Sequence, residues 1–240
     1  MKFIHIGKCG GTTIKKYFNL DEYHLNLNYS NNEYYVIWIR NPLNRFVSAF
    51  NFSFSLINLE INNLDINNLS LDNCLSPGRI ANKILRNNNF IFSERYDYLI
   101  NYFNNPNNLA ESLTSDDINQ KKLAFELMNS RLEHINNGIG YYFYNGDFID
   151  KNYYKIIFVG SIENMNDDIL RLGSLLNIET NTIFKVRENK YEQNKFLSTK
   201  AIENLLDFYK DTDYKALEKL LQYNFISNEL FDSYKTYNNS

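Results

Sequence analysis

Apolar and polar positions fall into short alternating blocks along the first sixty residues. The apolar run Phe3–Ile6 breaks at Gly7 and gives way to a helical pattern over Gly11–Phe18. Glu22–Leu27 reads as a second, weaker strand. The stretch "EYYVIWIRNP" (33–42) is nearly all apolar and ends in a charge and a proline, the pattern of a central strand covered on both faces. Leu43–Phe54 then sets Phe46, Val47, Phe50 and Phe54 at helical spacing. Strand–helix–strand–helix units of this length predict an α/β fold with a parallel sheet.

Further along, "LEINNLDINNLSLDN" (59–73) repeats with a period of five, which is neither helical nor strand-like. Three copies are too few to stack as a solenoid, so the segment reads as a low-complexity surface insertion. After Pro77-Gly78 a mostly helical middle extends to about Asn137. It includes a helix over 118–133 with Thr114 or Ser115 and Asp117 as its cap. The α/β pattern returns with a strand over Lys155–Val159. A helix follows, with Asn164 as cap and Ile169, Leu172, Leu175 and Leu176 as its buried stripe. Thr182–Val186 reads as a short strand, and 197–221 as two amphipathic helices broken near Asp211–Asp213. Nothing reads as a linker. One domain over 1–240 is expected, with 55–137 as a variable, mostly helical insertion.

Composition narrows the partners. The 240 residues include 19 Tyr and 18 Phe, enough to build a large core. Net charge is −3, so no global basic field draws nucleic acid, although a local basic patch is compatible with it. Asparagine fills about one position in six, which reads as nucleotide bias in an AT-rich genome rather than as a prion-like segment. Cys9 and Cys74 form no CxxC or His/Cys cluster, so neither a disulfide framework nor a metal site is expected. No signal peptide is visible at Met1-Lys2, and no apolar stretch approaches the ~18 residues of a membrane span. These features predict a soluble, cytoplasmic protein.

Candidate chemistry concentrates in two places. "FIHIGKCGGTTI" (3–14) puts Lys8, Gly10, Gly11, Thr12 and Thr13 between a strand and a helix. Unpaired N–H groups at a helix start, close backbone approach at glycine and a lysine charge suit a phosphate or sulfate. The stretch is not a nucleotide P-loop, because its lysine precedes the glycine pair, and no GxGxxG is present. Taken alone, the stretch has an ordinary glycine-rich β–α turn as its lesser alternative reading. "IRNPLNRFVSAF" (39–50) places Arg40 at a strand end and Ser48 on the next helix. Ligands gather beyond the carboxyl ends of parallel strands, so both motifs should open onto one crevice. Arginine grips phosphate bidentately. The pattern is that of a ligand with two separated anionic groups.

The two motifs resemble the 5′-phosphosulfate loop and the 3′-phosphate motif of sulfotransferases that use 3′-phosphoadenosine 5′-phosphosulfate (PAPS). The first is especially similar to the loop of carbohydrate sulfotransferases such as the heparan sulfate 2-O- and 6-O-enzymes. "FVGSIENMNDDILRLGSLLNI" (158–178) and the closing helices are further echoes, while 55–150 is largely unmatched. Gly7-Lys8-Cys9 departs from the family's common Pro-Lys-Thr. The resemblance implies a P-loop-like three-layer α/β/α domain with a central parallel sheet, a helix-rich middle insertion and C-terminal helices. It also implies in-line sulfuryl transfer from PAPS, leaving PAP, to a hydroxyl.

On that resemblance Lys8 meets the bridging and sulfuryl oxygens. The amides from Cys9 through Gly10, Gly11, Thr12 and Thr13 hold the 5′-phosphate together with the two threonine hydroxyls. Arg40 and Ser48 hold the 3′-phosphate, with Arg187 in "KVRENK" as a weaker contact. An alcohol acceptor needs a base. His24, near the end of the second strand, is the first choice and His134 the second, while His5 reads as a packed strand residue. Glu163 reads as a brace for its turn, and Arg45 as a partner of a surface carboxylate. A glycan or other hydroxylated small molecule is the expected acceptor, since the acidic balance disfavours a long polysulfated chain. Two alternatives stand beside this reading: a P-loop-type nucleotide kinase, or a non-catalytic sulfotransferase-like binding module.

Overall fold

The computed structural model describes residues 1–23, 33–63, 102–129, 134–180 and 194–237. The apolar run at 33–42 forms the central strand β3 (Tyr35–Ile39), every residue of which is buried. It is flanked by β1 (Lys2–Ile4) and β4 (Ile156–Ser161), with β2 (Asp21–Tyr23) outside β1 at the edge. The order is β2-β1-β3-β4 and every pairing is parallel. One irregularity lies between Tyr35 and Val36, where β4 carries an extra residue. That bulge is why Ile156 and Val159, three apart, share a face.

Alternation along β3 feeds two cores. Tyr35, Ile37 and Ile39 join Ile4, Ile156 and Val159 on one face. Against them pack Leu43, Phe46 and Phe50 of helix α2 (Pro42–Asn63) together with the C-terminal helices. Val36 and Trp38 join Phe3 and Phe158 on the other face. There they meet Ile14 of α1 (Gly11–Tyr17) and Met165, Ile169 and Leu172 of α7 (Met165–Leu176). Both sheet faces are thus covered by helices, as the continuous apolar pattern of β3 requires.

Between α2 and β4 lie α3 (Pro106–Ser112), α4 (Ile118–Met128), α5 (Ile139–Phe143) and α6 (Asp147–Asn152). After α7 come α8 (Thr199–Tyr209), a π-helical turn (Lys210–Tyr214), α9 (Lys215–Gln222) and α10 (Asn228–Ser233). Among the described residues no helix is long and apolar enough to cross a membrane.

Several local expectations shift. The cap of α4 is Asp117, whose carboxylate accepts from the amides of Asn119 and Gln120 while its own amide donates to the Ser115 hydroxyl, and the helix stops at Met128 instead of Glu133. Asn164 supplies no side-chain cap to α7; the buried Asp168 carboxylate instead accepts the Ser161 amide at 2.8 Å. Leu175 is 53 % exposed, so the stripe of α7 is Met165, Ile169, Leu172 and half-buried Leu176. The expected break near Asp211–Asp213 is not a break. The π turn carries the helical path through and turns Asp213 and Tyr214 inward. Helix α10, capped by the Ser227 hydroxyl, has no counterpart among the elements expected from the sequence. The 64–73 part of the repeat, Cys74 and the strand at 182–186 lie outside the described residues.

Gly160 carries the sheet against Trp38. A β-carbon there would sit 2.6 Å from the indole ring, which is itself fully buried. Gly160→Ala is expected to cost about 1–3 kcal/mol by overpacking, read as a lower urea midpoint at unchanged slope. An unchanged midpoint would show that the ring has room to move.

Candidate functional site

The carboxyl ends of β1 and β3 lie side by side in the parallel sheet, and each feeds a turn into a helix. After β1 the chain tightens at once: the Cys9 amide donates to the Ile6 carbonyl at 3.2 Å. Lys8 and Gly10 both adopt left-handed backbone, with φ of 68° and 78°. For a lysine that conformation costs on the order of 1 kcal/mol. Strain of this kind is retained where surrounding structure over-determines it. The turn buries the Cys9 side chain in the apolar core, leaving Lys8 beside it half-buried. Burial pushes the Cys9 thiol up to about 12, so it is neutral and unreactive.

The cradle is narrower than the sequence suggests. The Cys9 amide is used by Ile6, and the Thr13 and Ile14 amides both donate to the Gly10 carbonyl. Among the described residues, the amides of Gly10, Gly11 and Thr12 find no acceptor. Cys9 and the Thr13 amide therefore drop out as anion donors. The hydroxyl of Thr12 is on an exposed residue and that of Thr13 on a half-buried one.

Arg40 joins the two motifs. Its Nη1 donates to the Lys8 carbonyl at 3.2 Å, and its buried Nε has no acceptor. Burial leads in drawing the guanidinium below its ordinary range, with Cys9 and Glu163 opposing it. The Lys8 ammonium lies 4.0 Å above the Phe52 ring. Burial, and then the Arg40 charge, lowers Lys8 to about 8. Ser48 is buried on α2 and makes no hydrogen bond to either cation.

Histidines flank the loop on both sides. His5 stacks on Phe3 with ring centroids 5.7 Å apart, and its ring leaves no room for a β-carbon at Gly11. His134 has a left-handed φ of 82° and lies between α4 and α5. Its ring packs on the bare face of Gly7 and lies 5.9 Å from Phe52, centroid to centroid. Lys8 and His134 therefore share one aromatic platform. His24 and Arg187 lie outside the described residues.

The turn after β3 is braced from across the fold. Asn41 caps α2 by accepting from the amides of Leu43 and Asn44. Its Nδ2 donates to the carbonyls of Ser233 and Thr236, and its backbone amide donates to Glu163 Oε1 at 3.0 Å. Glu163 Oε2 accepts from the Tyr234 hydroxyl at 2.7 Å. Glu163 is thus a brace, but for the turn after β3 and not for its own turn after β4, where the sequence reading put it.

Arg45 overturns its expectation. It is fully buried and donates to the carbonyls of His134, Ile135 and Asn137, with Asp213 Oδ2 3.7 Å from its Nε. No surface carboxylate is involved. A guanidinium can be buried here because a loop without regular structure turns its carbonyls inward. Sequence reasoning also missed Phe52, Asn41 and Asp213; only the Asn-Pro pair carried any signal.

A separate hollow of about 390 Å³ opens past β4, lined by Ser161, Asn164, Asp168, Arg171, Asn224 and Ser227 among others. Its buried carboxylate is taken by the Ser161 amide and by Arg171, both at 2.8 Å. Among the described residues, no three His, Cys, Asp or Glu side chains group as metal ligands would. Comparison with family models, with curated proteins and with solved structures returns no match.

Proposed function

We propose that the protein is a PAPS-dependent sulfotransferase, built as a single P-loop-like three-layer α/β/α domain over 1–240, that sulfates a hydroxyl of a carbohydrate or similar acceptor. The observation that carries this reading is the Arg40–Lys8 hydrogen bond, which ties the strand-end arginine to the lysine loop. Two motifs far apart in the chain thereby become one cationic site. The residues fit a ligand with two anionic ends: three free amides and the Lys8 charge at one, the orphaned Arg40 Nε at the other. Two cations drawn together with Arg40 depressing Lys8 also suit an anion, which would relieve their repulsion.

PAPS supplies, when bound, an activated sulfuryl group on a phosphate leaving group. The amides of Gly10, Gly11 and Thr12 and the threonine hydroxyls hold its 5′ end; Arg40 and Ser48 hold its 3′-phosphate. Lys8, in left-handed backbone with its ammonium over the Phe52 ring, stabilises negative charge that grows during transfer. His134 takes the acceptor's proton on a ring nitrogen, and Phe52 offers the acceptor an apolar face beside it. His24 is the other candidate base. The reaction needs no metal from the protein's own residues.

Calorimetry with PAP in EDTA tests the reading. The native protein is expected to bind, and Arg40→Ala to bind about 10–100-fold more weakly, the worth of one charge-assisted grip. Absence of native binding overturns the proposal. Stabilisation by ATP with magnesium, and not by PAP, would favour a kinase instead.

A further inference from the structure

Arg45 stands at 0 % exposure in the core between the sheet and the C-terminal helices. Its Nη1 donates to His134 O at 2.8 Å and Asn137 O at 3.4 Å, and its Nη2 to Ile135 O at 3.2 Å. Asp213, 2 % exposed and set inward by the π turn, faces Arg45 Nε with one oxygen. With the other it accepts the Gly140 amide at 2.8 Å. The pair thus grips a single segment, 134–140, at both ends. Gly138 and Gly140 permit the approach, since a β-carbon would lie 2.4 Å from the Asp213 carboxylate at the first and 2.5 Å from the Thr212 backbone at the second.

The beginning of that segment is His134, in strained left-handed backbone, with its ring on Gly7 and Phe52. A core that only needed filling would be served as well by apolar side chains. Here the planar fork spends its donors on the carbonyls around one histidine.

We propose that Arg45 and Asp213 are positioning residues that hold the His134 imidazole at the mouth of the Lys8 loop. What that position means for catalysis rests on the sulfotransferase reading; the positioning itself does not.

The chain has three histidines, so NMR of histidine-ring-labelled protein reads the proposal directly, with His134→Gln to assign the signal. His5, stacked on Phe3 in the other core, reports whether the fold persists. In Arg45→Met and in Asp213→Asn the His134–Phe52 cross-peak is expected to disappear while His5 keeps its native shift. Sulfuryl transfer is expected to fall about 10²-fold, as for a misplaced catalytic group, with PAP affinity held within a few-fold. An unmoved His134 signal in folded variants overturns the proposal. Should Arg45→Met not fold, Asp213→Asn decides, since asparagine retains the oxygen that accepts from Gly140. Loss of His5 and His134 signals together in both variants also overturns it, because the pair would then serve the whole fold. A native protein that binds no PAP sinks the enzyme reading, while the NMR signals still decide whether the pair positions His134.

Discussion

Asp213→Ala is expected to lower the unfolding free energy by about 3–5 kcal/mol, the range for breaking a buried ion pair from one side. The substitution strands the Arg45 guanidinium at 0 % exposure, and it removes the acceptor of the buried Gly140 amide. Asp213→Asn should cost less, because only the countercharge goes. Combining Asp213→Ala with Arg45→Met should recover part of the loss, as removing both partners leaves no orphaned charge. By contrast, deleting the exposed pair Lys122–Glu126 should change stability by about 0–1 kcal/mol. Urea denaturation of the four variants provides the ranking. A loss below about 1 kcal/mol for Asp213→Ala would mean that the loop carbonyls alone satisfy Arg45.

Lys8→Met should reduce sulfuryl transfer by about 10²–10³-fold while changing PAP affinity far less. The ammonium sits where burial and Arg40 both work against its charge, lowering it to about 8. Charge developing nearby during transfer relieves that cost more than the ground state does. The pH profile follows. In the native protein kcat/KM should decline as pH rises through about 8, about tenfold per unit, as Lys8 loses its proton. In Lys8→Met that limb should vanish with the activity it served. The same shift acts on folding with a definite sign. Between about 8 and 10.5 the folded protein holds fewer protons at Lys8 than the unfolded chain, so this group's contribution to stability grows with pH across that window. Full transfer activity in Lys8→Met would remove the lysine from the mechanism.

What could be read from the chain was local. Continuous apolar residues at 35–39 specify a doubly covered strand, and the glycines and cations at two strand ends specify where a site can form. What could not be read depends on partners remote in sequence. Arg45 looks like any helix arginine until residues 134–140 and Asp213 close around it. The π turn at 210–214 departs from the 3.6 period on which helical stripes are recognised, so it looks like a break. Phe52 lies off the inward face set by Phe46 and Phe50; its place beneath Lys8 follows from the left-handed backbone at residue 8, which no propensity announces. Cys9 and Thr13 illustrate a further gap: residue types place donors near a ligand, but the turn's own hydrogen bonds decide which remain available.

The brace on Asn41 has a consequence for biosynthesis. Its side-chain amide waits for the carbonyls of Ser233 and Thr236, the first of them 192 residues downstream. At the usual ~5–20 residues per second a ribosome needs roughly 10–40 s to reach them. Strand β3 and the start of α2 have long left the exit tunnel by then, with the Asn41 amide held by water. The arginine turn is therefore made well before the residues that complete its brace.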